Sequence, residues 1–462
     1  FGEDLVYGFR GGAIYYWDAS FGLSPSPFTI TIASPGVVTS VLSLSNGTAV
    51  ILTNSGYPSA LPTGLSPGTI YYVVNVSGFT FNLAATVGGT PINTSGTQSG
   101  THYIMPNGIN IVSLANASDA PIIQNFVFVS DISRFVFAFG CNDYSATVQN
   151  PMLIRWSDQE SVVNWTPSAT NQAGSVTLSH GSSIITSIQT RQEILVWTDS
   201  AIYSLQYLGP PVVWSSQLMG DNISILGQNA AAQASGVVYW MGVDKFYSYD
   251  GRLQTLNCDL RRFVYQDINL SQDQQVFAGT NEGFNEVWWF YCSANSSAVD
   301  RYVIYNYLEK IWYYGTMERT AWLDSGLQTI PIAAKYNSGL YTGNLINHET
   351  GLNDNTTGTA VAIDAYISSS EFDIGDGHNF GFVWRILPDL TFENSTNSPS
   401  GTTPTVTMEL FGLANSGSGV TSDAGQPVAS SSTYNITEEF TGQIYTRLRG
   451  RQMIFKISSN QI

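Results

Sequence analysis

A chain of 462 residues with only 11% charged and 13% aromatic side chains excludes a helical bundle, whose exposed faces are built from Glu, Lys and Arg. A formal charge of −17, from 34 acidic against 17 basic residues, excludes a protein built to grip nucleic acid, because phosphate neutralisation dominates that affinity. Three scattered cysteines, Cys141, Cys258 and Cys292, make neither a disulfide framework nor a zinc site, and no apolar run is long enough for a membrane span.

In chain order, the first element is AIYYW, a strand ending at Trp17. From Phe21 to Ser118 the sequence then holds no Asp, Glu, Lys or Arg, and His102 is its one imidazole. Runs such as FTITIAS, TAVILT and TIYYVVNV, set between Pro, Gly, Ser and Asn turns, predict a small inserted β domain over 21–118. It interrupts a larger domain that starts in 1–20 and continues over 119–354.

That larger domain shows a period. Apolar runs end in tryptophan at LIRW (Trp156), ILVW (Trp197), VVYW (Trp240) and EVWW (Trp288, Trp289), with successive gaps of 41, 43 and 48 residues. The gap of 139 between Trp17 and Trp156 falls to 41 once the 98 charge-free residues are removed. An Asp turn follows several of these runs, at Asp18, Asp158, Asp199 and Asp244, and second strands follow in AIYSLQY and KFYSY. Asp250-Gly251 closes a further hairpin. RYVIYN and IWYYG predict another, turning at Leu308–Lys310. Repeats of roughly 40–50 residues with several short strands each are the signature of a β-propeller, with a weaker sixth unit around GLYTGNL. A β-sandwich with coincidental tryptophans is the alternative.

Beyond Asn355 the runs AVAIDAYISSSEFDI, FGFVWRILPDLTF, TVTMELFGLA and QIYTRLRGRQMIFKIS read as longer alternating strands, and 355–462 is expected to be a C-terminal β-sandwich. The fold expected is therefore all-β: a β-propeller with an inserted small β domain and a C-terminal β-sandwich.

The chemistry-bearing residues are sparse. Carboxylates recurring after tryptophan strands invite a glycosidase reading, but Asp is also a turn residue whose side chain bonds nearby backbone amides. His102, His180, His348 and His378 stand far apart, and Asp373-Ile-Gly-Asp376-Gly lacks calcium-loop spacing. The expectation is no catalytic residue, no metal site and no cofactor. One basic cluster stands out in YTRLRGRQMIFK: Arg447, Arg449 and Arg451 alternate, as if projecting from one strand face, and Lys456 extends them. In so acidic a chain they are read as a subunit or partner contact, in preference to a nucleic-acid contact.

The segments RWSDQESVVNWTP (Arg155–Pro167), QTRQEILVWTDSAIYSLQYLGPP (Gln189–Pro211), VYWMGVDKFYSYDG (Val238–Gly251) and RLRGRQM (Arg447–Met453) resemble the propeller-containing tail nozzle proteins of short-tailed bacteriophages. These are also called packaged-DNA stabilisation or tail accessory proteins. The segment Gly64–Thr86 is similar to a small β module that decorates many phage structural proteins. The resemblance implies a virion tail protein, assembled in the bacterial host cytoplasm as a homo-oligomeric, six-fold ring. Its neighbours would be portal or adaptor proteins and tail fibres or spikes, and duplex DNA would pass through without sequence-specific binding. Two other readings stand beside it: a carbohydrate-binding or glycoside-cleaving propeller, such as a depolymerase or lectin, and a host receptor-binding tail protein.

Overall fold

The computed structural model describes residues 2–19, 24–114, 116–324, 329–337, 342–351, 353–354, 361–373, 377–392, 403–420, 429–437 and 442–459. Strands make up 51% of it and helix 5%, so the protein is all-β. Two compact units divide the chain, Phe1–Leu345 and Ile346–Ile462.

The first unit opens with a hairpin, β1 (Leu5–Gly8) and β2 (Ile14–Trp17). Six strands follow: β3 (Ser26–Ile30), β4 (Val38–Ser40), β5 (Thr48–Ala60), β6 (Ile70–Ser77), β7 (Thr80–Ala84) and β8 (Ser99–Asn110). They pair in the order β8-β3-β4-β7-β6-β5, and β5 returns to β8, closing a barrel that lies wholly within the charge-free stretch. Its interior is filled by Phe28, Val38, Val50, Leu52, Val73, Phe81, Leu83 and Ile104. Sheets normally guard their edges with charged side chains, whereas closure removes the edges altogether. A barrel is thus a form in which strands without a single Lys or Glu remain protected from edge pairing.

The barrel is joined to the hairpin by hydrogen-bonded pairing as well as by chain. β2 pairs with the end of β8, Tyr15 opposite Asn110 and Tyr16 opposite Ile109. At this crossing Tyr7 donates its hydroxyl to the Asn107 carbonyl. Gly108 has φ +111°, and a Cβ there would lie 2.6 Å from the Tyr7 hydroxyl. Only glycine meets both demands.

His102 is buried in the barrel wall, tilted against Phe28 at 5.7 Å, with Nε2 3.2 Å from Gln98 Oε1. Burial lowers its pKa from the ordinary 6.5, so the folded barrel holds it neutral. An unfolded chain gains this proton as pH falls through 6.5, and the folded one resists until its lower value is reached. The stability that neutral His102 contributes is therefore present above 6.5 and lost as pH falls below it. Protection factors of the barrel amides, taken against the intrinsic exchange rate at each pH, should fall on acidification over that window, and His102→Gln should flatten the fall; an unchanged acid profile in the variant would contradict the assignment.

Four antiparallel sheets come next, each a four-stranded meander in chain order. They comprise β9 (Phe126–Val129), β10 (Val136–Phe139), β11 (Leu153–Trp156) and β12 (Gly174–Thr177); then β13 (Ile184–Gln189), β14 (Glu193–Thr198), β15 (Ala201–Gly209) and β16 (Val213–Asp221). The third has β17 (Ala231–Ala234), β18 (Val237–Met241), β19 (Phe246–Tyr249) and β20 (Leu253–Leu256). After a short helix, α1 (Arg261–Asp267), the fourth has β21 (Phe277–Asn281), β22 (Glu286–Tyr291), β23 (Arg301–Asn306) and β24 (Ile311–Thr316). A three-stranded sheet follows, β25 (Ala321–Leu323), β26 (Ile332–Asn337) and β27 (Thr342–Asn347).

The middle strands are apolar without alternation because both of their faces are covered: every residue of β10, β11, β14 and β19 is buried. Consecutive sheets share their cores. Phe137, Phe139 and Trp156 of the first meet Ile194, Val196 and Trp214 of the second. Leu195 and Trp197 join Trp240 and Phe246 of the third and Trp289 and Tyr305 of the fourth. Trp288 then stacks on Trp322 of the three-stranded sheet at 5.1 Å. In the aromatic stretch from Asp300 to Gly315, the turn carries Lys310 at φ +59°, and Trp312 lies 4.7 Å from both Phe246 and Tyr305. These rings are packing between sheets.

The second unit contains β28 (Asn353–Asp354), β29 (Val361–Ala362), β30 (Ala365–Ser368), β31 (Phe372–Asp373), β32 (Gly381–Ile386), β33 (Thr405–Leu413), β34 (Ser430–Thr437), β35 (Ile444–Gly450) and β36 (Gln452–Ser459). β30, β31, β33, β34 and β36 form one sheet, and β32 pairs with β35 as a two-stranded ribbon. The ribbon packs Val383, Ile386, Ile444 and Leu448 against Met408, Leu410, Met453 and Phe455 of the sheet, which makes two layers.

Candidate functional site

The first strands of successive sheets converge on one hollow of about 410 Å³ in the first unit. Ser187 lies on β13, Gln228 and Asn229 lead into β17, Ala278 lies on β21, and Thr320 and Trp322 belong to the β25 edge. The strands are tied there: Ala278 donates its backbone N–H to Asn229 O at 2.7 Å, and Trp322 Nε1 donates to Thr280 O at 2.7 Å. Arg10, in the β1–β2 turn, reaches the same rim and donates to Gln228 Oε1 at 2.9 Å. The lining is neutral and amide-rich, and it brings no acid, base or nucleophile together. A second hollow of about 310 Å³, at the barrel between Asn46, Asn75 and Ser113, is likewise uncharged.

The carboxylates of the tryptophan turns are engaged locally. Asp158 accepts from the Gln159 and Gln172 amides at 3.0 and 2.8 Å. Asp199 accepts from the Ser182 amide at 2.8 Å and its hydroxyl at 2.5 Å; burial pushes its pKa up, but these hydrogen bonds outweigh it and hold the carboxyl below its usual range. Asp244 pairs with Arg261 at 3.3 Å. Each acts as a loop staple. Burial pushes the Cys141 and Cys258 thiols up to about 12 and Cys292 to about 11, which leaves them protonated and unreactive near neutrality. Among the described residues no three His, Cys, Asp or Glu gather as a metal site; part of the Asp373–Gly377 stretch lies outside the described residues.

The basic cluster is only partly assembled. Arg447 and Arg449 project from the exposed face of β35, whose burial alternates strictly. Arg451 does not continue that face: the strand ends at Gly450, the chain turns, and Arg451 Nε donates to Gly377 O at 2.9 Å. Lys456 lies on β36 in the other layer, paired with Glu409 at 3.2 Å. The regular spacing spans a turn, so alternation along the sequence does not become one face in space.

What joins Arg447 and Arg449 comes instead from β32. Phe382, Trp384 and Arg385 are exposed there, and Tyr445 is exposed on β35. Arg385 lies 4.7 Å above the Trp384 ring, Arg449 4.6 Å from that of Phe380, and the Trp384 and Tyr445 rings are 6.5 Å apart. Their signal in the sequence was FGFVWRI, apolar residues on both parities of one strand, but the pairing of β32 with β35 spans more than fifty residues of chain and is not local. No protein-family model matches the chain, and no match to a curated protein was found.

Proposed function

We propose that the protein is a non-enzymatic structural component of a bacteriophage tail: a ring-forming nozzle that extends the DNA channel, retains packaged DNA and lets it pass on ejection. In this reading the four meanders and the three-stranded sheet are blades of a β-propeller and the second unit is a β-sandwich. The observation that carries it is the run of four-stranded meanders, the second, third and fourth of which face one hollow with their first strands, in a chain of charge −17 interrupted by a charge-free barrel. The resemblance of Arg155–Pro167, Gln189–Pro211 and Val238–Gly251 to nozzle proteins points the same way; these segments span β11, β14–β15 and β18–β19. A ring of acidic chains has a physical use, since a lumen of negative potential repels phosphate and keeps DNA from adhering.

Electron microscopy of the purified protein tests this. Closed rings with a pore wide enough for duplex DNA are expected. A compact monomer that cleaves polysaccharide would overturn it, and such an enzyme would need a convergent carboxylate pair about 5–10 Å apart.

A further inference from the structure

The outer face of the β32–β35 ribbon is a concentration of the residue types that dominate binding energy at protein interfaces, Trp, Tyr and Arg. Trp384 and Tyr445 are 53% and 69% exposed and stand beside the exposed rings of Phe380 and Phe382, a contiguous patch of the kind that marks interaction sites. Charge is concentrated there too. The second unit carries 12 acidic residues and five basic ones, Arg385, Arg447, Arg449, Arg451 and Lys456. Arg451 and Lys456 are occupied by Gly377 O and Glu409. The other three all lie on this one face. Among the described residues, none of the three forms an ion pair. Two of them are stacked on aromatic rings, Arg385 on Trp384 and Arg449 on Phe380, which holds a planar fork in place with little ordering left to do on binding.

We propose that this face docks an acidic surface of a second copy of the same chain, making it one of the contacts that build the assembly. The inference rests on the ring reading for its occupant and on charge complementarity for its chemistry: each copy carries 34 carboxylates against 17 cations, so the commonest charge a second copy presents matches three guanidinium groups without a carboxylate partner, of which Arg385 donates to Gln443 Oε1 at 3.3 Å. Arg–carboxylate pairs would supply register, and Trp384 and Tyr445 would supply the desolvated centre. A nucleic-acid backbone is the less favoured occupant, because its affinity grows with the number of phosphates neutralised and this face offers only three guanidinium groups.

The test measures the mass of the protein in solution by light scattering and mass photometry. Two double variants are compared with the wild type: Arg447→Glu with Arg449→Glu, and Trp384→Ser with Tyr445→Ser. Both alter exposed side chains, so circular dichroism and melting should stay unchanged. Each is expected to weaken self-association by at least about tenfold, as loss of an interface anchor does. Raising salt should weaken the wild-type assembly and not an assembly held by apolar contact alone, a result that stands even if a variant fails to fold. Wild-type mass retained in both folded double variants would overturn the docking face while leaving the ring intact. A wild type that stops at a dimer, and that the variants dissociate, would keep the face and remove the ring. A wild type that is monomeric at every concentration, or one whose variants lose duplex DNA binding at unchanged mass, would overturn the proposal.

Discussion

Replacing Arg155 by methionine should lower the stability of the first unit by about 3–5 kcal/mol, a drop in melting temperature on the order of 10 °C for a unit of this size. Its guanidinium is wholly buried, yet its main partners are backbone groups. Nη1 donates to Asn142 O at 3.1 Å and Nη2 to Asp119 O at 2.5 Å, with Asp119 Oδ2 farther off at 3.4 Å and the Tyr144 ring beneath at 4.1 Å. Methionine fills much of the volume but leaves two carbonyls without donors, each costing about 1–3 kcal/mol. Asp119→Ala should cost less, because that side chain is partly exposed and gives Arg155 only the long contact, its other bond being to the Ser145 amide at 2.9 Å. The asymmetry is the check: equal losses from the two variants in thermal melts would refute the view that Arg155 works through the backbone. The location explains the size of the effect. Asp119 is the first charged residue after the barrel, and Asn142 also accepts from the Ile122 and Ile123 amides, so Arg155 pins the chain where it returns to the first meander.

The second large effect is expected at Glu193, a buried carboxylate on β14. It accepts from the hydroxyls of Ser204 and Tyr249 and from Gln206 Nε2 at 3.2 Å. Ser204 and Gln206 belong to its own sheet, but Tyr249 comes from the third meander, so the carboxylate couples two sheets. Glu193→Leu should cost about 3–5 kcal/mol by stranding two buried hydroxyl donors and the half-buried Gln206 amide, and Tyr249→Phe about 1.5–3 kcal/mol, as for one hydrogen bond to a charged group. In a double-mutant cycle the two should couple by more than about 1 kcal/mol; additive losses would mean that the sheets are joined by apolar contact alone. Burial first, and then the Glu193 hydrogen bond, raise the Tyr249 pKa above 10.0. The stability this contributes is complete below pH 10 and is lost only as pH rises toward the raised value, so the gap between wild type and Tyr249→Phe should narrow in strong alkali.

The all-β class was legible in composition, because a chain with so few charges cannot dress helices. Hairpins were legible where turn and strand chemistry coincide, as at Asp250-Gly251 between β19 and β20 or Leu308–Lys310 between β23 and β24. The tryptophan spacing was less faithful. Trp197, Trp240 and Trp288 lie on the second strands of their sheets, whereas Trp156 lies on the third strand of the first. In that sheet Phe137 and Phe139 of β10 occupy the second strand, and the long connection after β11, with Trp165 buried in it, restores the count. Spacing counts residues and is blind to which strand a residue ends up on. QIYTRLRGRQMIFKIS read as one strand for a comparable reason. It breaks after Gly450, where a Cβ would lie 2.7 Å from Gly412 Cα, and a glycine required by a neighbour 38 positions away leaves no local trace. The docking face escaped for the same cause, since a register shift between Val383 and Arg385 presents Trp384 and Arg385 together.

The pairing of β2 with β8 has a mechanical consequence. A domain inserted through two loose linkers swings and transmits little force. Here the last barrel strand runs on as the sheet neighbour of the hairpin, the hairpin turn is bonded to the Gln124 carbonyl through the Gly11 amide at 2.7 Å, and Arg10 carries the path on to Gln228. A load applied to the barrel therefore has a continuous hydrogen-bonded path to the rim of the hollow.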